Sequence, residues 1–357
     1  MKKLITVFIL FVLLAFCAYE FMTSNQEQYD NKLRSLGVYD KQASDNNNMS
    51  PSLPIKITMG YWESPNGELL VKETGTFQKA FPGIKIEWLE FQSGTDILTA
   101  MQSGSLEFAT IGTPPATMGI VNNYPFKVFY LHDVIGESEG IIVKKTSGIK
   151  TISDLKGKII AVPFGTTSHF AFLNLLKANE IKVSDFTLLD MTGPDIFAAW
   201  QRGDIDGAYI WESVKSQLIE ADGEQLASSA DAAKVGGLTA EIGIVSTKFY
   251  ETYPEIVREY INILDEAVNS YRKEPEKAAE LMAKGLGLSV KDTTVAMNEI
   301  IVKDKSEQPF YFKDGGELQT TLLATGNFLF EQNSISRKPD QSVINQAILS
   351  ELYQEEK

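Results

Sequence analysis

The sequence predicts a two-lobed α/β fold, with parallel-sheet lobes joined by two hinge strands. Three observations predict it. A stretch occurs twice, at 96–111 (DILTAMQSGSLEFATI) and at 195–210 (DIFAAWQRGDIDGAYI), with identities from Asp96/Asp195 through Gly104/Gly203 to Ile111/Ile210. Strands and helices alternate around each copy, the signature of a largely parallel sheet. A strand follows each unit, near 141–144 and 241–246, as if leading from one lobe to the other. Each copy reads as the end of an amphipathic helix, a glycine that stops it, and a half-apolar strand. Two copies are too few for a solenoid, which needs about three. They fit one αβ unit placed once in each of two similar lobes.

Met-Lys-Lys followed by LITVFILFVLLAFCAY reads as an export signal, so 1–21 is taken as a signal or lipoprotein anchor. Cys17 is the only cysteine, which excludes an internal disulfide. Residues 22–53, rich in Asn, Gln, Ser and Asp, read as a flexible linker. Lobe 1 is expected over 54–142. It opens with an alternating strand at 55–61, followed by a helix to about Ala80, a strand at 84–91, the first repeat copy and a strand at 128–131. Lobe 2 is expected over 143–241: a capped turn at 151–157, a strand at 158–163, a helix at 169–179, a strand at 187–190 and the second copy. The chain then returns to lobe 1 over 242–357, mostly as helices at 255–273, 275–285, 290–299 and 316–332. Two crossings between matched lobes make a hinge, and such a hinge closes around a ligand.

Net charge is -14, which argues against nucleic acid as a partner. An anionic small molecule stays possible, because backbone N–H groups and hydroxyls hold anions without net positive charge. With two histidines, His132 and His169, little material is available for a metal site, and none is assigned. No Walker loop, no G-x-S-x-G elbow and no H-E-x-x-H is present, so the chain reads as a binding protein without a cofactor rather than an enzyme.

Ligands of open α/β sheets sit beyond the carboxyl ends of strands. Gly112-Thr113-Pro114 and Trp211-Glu212-Ser213 follow the two copies and are expected to face one another across a cleft. In Pro163-Phe164-Gly165-Thr166-Thr167-Ser168-His169, a turn glycine precedes hydroxyl residues at a helix start, a natural seat for an oxyanion. A plain helix cap explains that stretch equally well, as a plain turn explains Gly112-Thr113. Trp211 and Trp62 are candidates to close over a ligand, with core packing as the alternative. Glu241 is a carboxylate in an apolar strand, so it needs a partner: a ligand ammonium, a lysine or solvent. Ser138 and Glu139 at the other crossing carry the same ambiguity.

The run 153–163 with Thr166-Thr167-Ser168-His169 resembles the substrate-binding proteins of nitrate, sulfonate and taurine ABC importers. The run 198–211, AAWQRGDIDGAYIW, is similar to the taurine-binding branch, and the likeness covers roughly 55–335. It implies a periplasmic-binding-protein-like fold of type II, a bound small anion and delivery to a membrane permease. Taurine or a related sulfonate would lie on Thr113, Thr166 and Thr167, and its ammonium would meet Glu241, where the branch usually has an aspartate. With the anchor, an exported protein held at the cell membrane, monomeric and tethered through Cys17, is expected.

Overall fold

A computed structural model describes residues 53–354, so the anchor with Cys17 and nearly all of the linker lie outside the described residues. The first lobe holds β1 (Lys56–Tyr61), β2 (Lys85–Glu90), β3 (Phe108–Gly112) and β4 (Phe126–Ile135). The second holds β5 (Glu139–Lys144), β6 (Ile159–Val162), β7 (Thr187–Asp190), β8 (Gly207–Trp211) and β9 (Gly223–Ser228). The chain returns with β10 (Ala240–Ser246) and, after four helices, β11 (Ile300–Val302).

The first sheet runs β2-β1-β3-β10-β4-β11 and the second β7-β6-β8-β5-β9. β3 pairs parallel with β1 and antiparallel with β10. β8 does the same with β6 and β5. The two repeat strands therefore hold the same place in their sheets. Gly104 (φ +74) and Gly203 (φ +81), matched in the repeat, both take the left-handed conformation that lets the chain turn from helix to strand.

Three expectations are corrected. The strands over 139–144 and 240–246 do not cross between lobes: β5 lies wholly in the second sheet and β10 wholly in the first. The connections are 136–138 and 234–239, since the helix Ser229–Ala233 packs within the second lobe. Nor are the sheets parallel throughout, because β10 and β5 run antiparallel to both neighbours. The reason is directional. β1, β3 and β4 finish at the edge where the lobes meet, so a chain entering from that edge runs the opposite way. The helix expected to reach Ala80 breaks at Gly75 (φ +64) into Gly67–Thr74 and Thr76–Ala80.

Alternation along β3 splits the first core between the two faces of its sheet. Phe108 packs edge-on to Phe77 and Tyr260 on one face. Ala109 and Ile111 pack with Ile97 and Met101, from the first repeat helix, on the other. The lobes are in contact. A Cβ added to Gly112 of lobe 1 would come within 2.8 Å of the Thr167 methyl of lobe 2. Phe170 of lobe 2 meets Phe328 of lobe 1 edge-on, with centroids 5.0 Å apart.

At the first connection a buried cation ties the lobes. Lys215, 3% exposed, donates to both carboxylate oxygens of Glu299 at 2.9 Å and to the Glu137 carbonyl at 2.6 Å. Glu212 is a further partner at 2.9 Å. The Glu137 N–H donates to the Glu299 carbonyl at 2.9 Å. Removing one member of a buried pair strands the other charge. Lys215→Met is therefore expected to lower stability by about 3 kcal/mol in urea unfolding, whereas a loss under about 1 kcal/mol, typical of exposed pairs, would contradict this account.

Candidate functional site

On the lobe 1 side, Glu241 near the start of β10 stands opposite Gly112 on β3 and Asp133 on β4. Directly opposed residues of antiparallel strands put their side chains on the same face, with Cβ atoms about 5 Å apart. Glycine at 112 leaves that spot open: an added Cβ would lie 3.7 Å from Glu241 Oε1. Glu241 is 7% exposed, and its Oε2 has no hydrogen-bond partner. Asp133 is fully buried. Its Oδ2 accepts from Asn66 Nδ2 at 3.1 Å, and its Oδ1 has no partner. Asn66 is itself fixed, because its side-chain oxygen caps the helix Gly67–Thr74 by accepting from the N–H groups of Glu68 and Leu69.

Glu68, on the first turn of that helix, accepts from the Thr110 hydroxyl at 2.5 Å and from the Tyr260 hydroxyl at 3.0 Å. Thr110 gives its proton to Glu68, so it accepts from His132 Nε2 at 3.1 Å. That leaves His132 Nδ1 bare and buried. Burial pulls His132 down to about 3, so the ring is neutral.

On the lobe 2 side, Glu139 begins β5, opposite Trp211 of β8. Its oxygens accept from the hydroxyls of Thr167 and, at 3.0 Å, of Ser229. The helix Thr167–Ala178 places Thr167 and Ser168 at its first turn, next to Gly165 (φ +74). Ser168 is fully buried beside Glu139, whose charged form its hydroxyl favours. An N-terminal helical turn suits an anion, because its N–H groups point outward and the helix end is positive.

Four carboxyls (Glu68, Asp133, Glu139 and Glu241) are thus buried together. Burial pushes Glu68, Asp133 and Glu139 up to about 7 each, against hydrogen bonds that pull the other way. Glu241 is held well above the usual carboxylate range by burial first, then by Asp133, Glu139 and Glu68. Among the described residues no cation and no hydrogen bond offsets that rise. Among the described residues no group of three or more histidines, cysteines and acids is arranged to hold a metal.

The sequence-predicted residues fall into two sets. Gly112, Thr167, Glu139 and Glu241 are brought together across the lobes. Thr113 is buried beside them, its hydroxyl accepting from the Ala240 N–H at 3.4 Å. Pro114 is buried in the first turn of the helix Thr113–Val121. Thr166 is used as a cap: its hydroxyl donates to the Pro163 carbonyl at 2.6 Å and accepts from the His169 N–H at 3.3 Å. His169 stacks on Phe164 with centroids 4.4 Å apart and accepts from the Gly165 N–H, which shapes the loop. The Ser138 carbonyl accepts from the Glu212 N–H at 3.1 Å. Trp62 and Trp211 are half-buried, each against its own lobe's core. Asn66, Glu68, Asp133 and Ser229 were not singled out from sequence. Asp133 carried a usable signal, an acid inside the apolar run VFYLHDVI. Glu68 carried none, since an acid on a first helical turn is ordinary.

Residues 59–278 match the family model described as NMT1/THI5 like. The chain is 35% identical over 288 residues to the taurine-binding periplasmic protein of Escherichia coli strain K12, covering 79% of this chain and 88% of that one. It is 26% identical over 303 residues to a putative aliphatic sulfonates-binding protein of Bacillus subtilis strain 168, covering 84% and 89%. In fold it is similar to the alkanesulfonate-binding protein SsuA of Xanthomonas axonopodis pv. citri bound to MOPS. That likeness has a TM-score of 0.71 at 21% identity, over 84% of this chain and 99% of that one.

The buried acids couple stability to pH. An acid held at about 7 when folded, against an ordinary value near 4.5, keeps its proton in the folded state where the unfolded chain has lost it. Its contribution is full at low pH and is lost as pH rises through about 7. The depressed histidines His132 and His169 act oppositely, but only below about 6.5. Between pH 6.5 and 8 the four acids outweigh the two histidines, whose unfolded-state protons are by then being lost. The melting temperature of the ligand-free protein, followed by circular dichroism, is expected to fall across that window. A flat or rising profile would contradict the burial of these carboxyls.

Proposed function

The chain belongs to the NMT1/THI5-like family, and we propose that it is the extracytoplasmic receptor of an ABC importer for taurine or a related aminoalkyl sulfonate. The observation that carries the reading is the bare Oε2 of Glu241, buried beside Gly112 with no cation near it among the described residues. A buried carboxylate lacking a partner is costly, and a ligand ammonium removes that cost when the lobes close over it. The sulfonate would lie against the first turn of the helix Thr167–Ala178 and the Gly112-Thr113 tip, two helix starts whose N–H groups point outward. The taurine-binding protein of Escherichia coli, at 35% identity, supports this ligand class. The chemistry is recognition without turnover. Closure desolvates the ligand, and its higher affinity for the closed state shifts the population. The basic and apolar N-terminus with Cys17 supports export and tethering at the membrane, from which the ligand passes to the permease.

Titration of the full chain in detergent tests the reading directly. Taurine is expected to bind at least tenfold more tightly than ethanesulfonate, and nitrate more weakly still. Glu241→Gln should cost taurine about 2–5 kcal/mol, the range for removing one partner of a buried charge pair. Ethanesulfonate binding as tightly as taurine, or Glu241→Gln leaving taurine unaffected, would remove the amine from the site and favour a plain alkanesulfonate.

A further inference from the structure

The four buried carboxyls differ in what their oxygens meet. Glu68 and Glu139 are saturated: one oxygen of each accepts from a threonine, and the other accepts from Tyr260 or Ser229. Glu241 and Asp133 each keep one oxygen buried without a partner. These two residues stand directly opposite one another on β10 and β4, on the same sheet face. Each is more than nine-tenths buried. Asp133 is also held in place, because its other oxygen is bound by Asn66, whose own side chain is pinned as a helix cap.

We infer that Asp133 is a second acceptor for the ligand's cationic group: Glu241 and Asp133 each take one N–H, so the site selects an amine carrying at least two. The inference rests on the aminoalkyl-sulfonate reading. It adds a specificity residue from β4 and narrows the ligand to primary or singly substituted amines. A lone carboxylate would recognise charge and tolerate full substitution of the nitrogen. Two acceptors on opposed strands count hydrogen atoms. A carboxyl oxygen accepts an N–H whether or not its twin carries a proton, so the ligand's single positive charge can satisfy both residues.

The test uses the full chain with taurine, N-methyltaurine and N,N-dimethyltaurine, whose ammonium groups keep three, two and one N–H. Taurine and N-methyltaurine are expected within about threefold of each other. The dimethyl compound is expected to be at least tenfold weaker, the loss of one charge-assisted hydrogen bond. Asp133→Asn should weaken taurine about tenfold and leave ethanesulfonate, which has no amine, within about twofold. A purely structural role would weaken both ligands together, and that result overturns the proposal. So does a dimethyl compound that binds as well as taurine. Circular dichroism and the melting temperature of Asp133→Asn control for folding. If Asp133→Asn fails to fold, the methylation series on the unaltered protein decides alone. If neither sulfonate binds the unaltered protein, the sulfonate reading falls. Ethylammonium binding that Asp133→Asn abolishes would then still uphold the paired acceptors, and its absence would overturn them.

Discussion

A carboxyl buried without a cation is the constraint on which the rest of the structure depends. Glu241 lies on a strand sealed on both sides by β3 and β4, beside three more buried acids. Such a group has two ways to exist: keep a proton, or take a positive charge from outside. The first suits the empty protein and the second suits a complex. On the proposed aminoalkyl-sulfonate reading, filling the site changes the protonation of the protein, and a cation is worth more there than in water.

The two lobes divide the work. Lobe 1 brings the open acceptors on β10 and β4, with Gly112 leaving space between Glu241 and Thr167. Lobe 2 brings the helix start at Thr167, whose hydroxyl is tied to Glu139. That bond holds Glu139 on its own lobe, with Ser229 as its second partner, so the helix turn reaches the cleft already oriented. Lys215 stands behind the site at the 136–138 connection and fixes how the lobes meet.

Much of this was legible in the residues. The repeat at 96–111 and 195–210 marks equivalent strands because the turn from helix to strand needs a left-handed glycine in both lobes, and Gly104 and Gly203 supply it. Glu241 was legible as an acid inside an apolar run. The direction of β5 and β10 was not, since periodicity reports which face is buried and is silent on which way a strand runs. Asp133 sat within an equally apolar run, yet its meaning depends on β10 lying beside β4 from more than 100 residues away. Thr166 and Thr167 look alike in sequence. Only the cap geometry separates the hydroxyl spent on Pro163 from the one facing Glu139.

The central claim is that the amine of the ligand ionises a carboxyl that the empty protein keeps protonated. Calorimetry of taurine binding near pH 7, in two buffers of different ionisation enthalpy, measures this directly. The account predicts that the observed heat depends on the buffer with the sign of protons released from the protein. A heat independent of buffer, or one showing proton uptake, would contradict it.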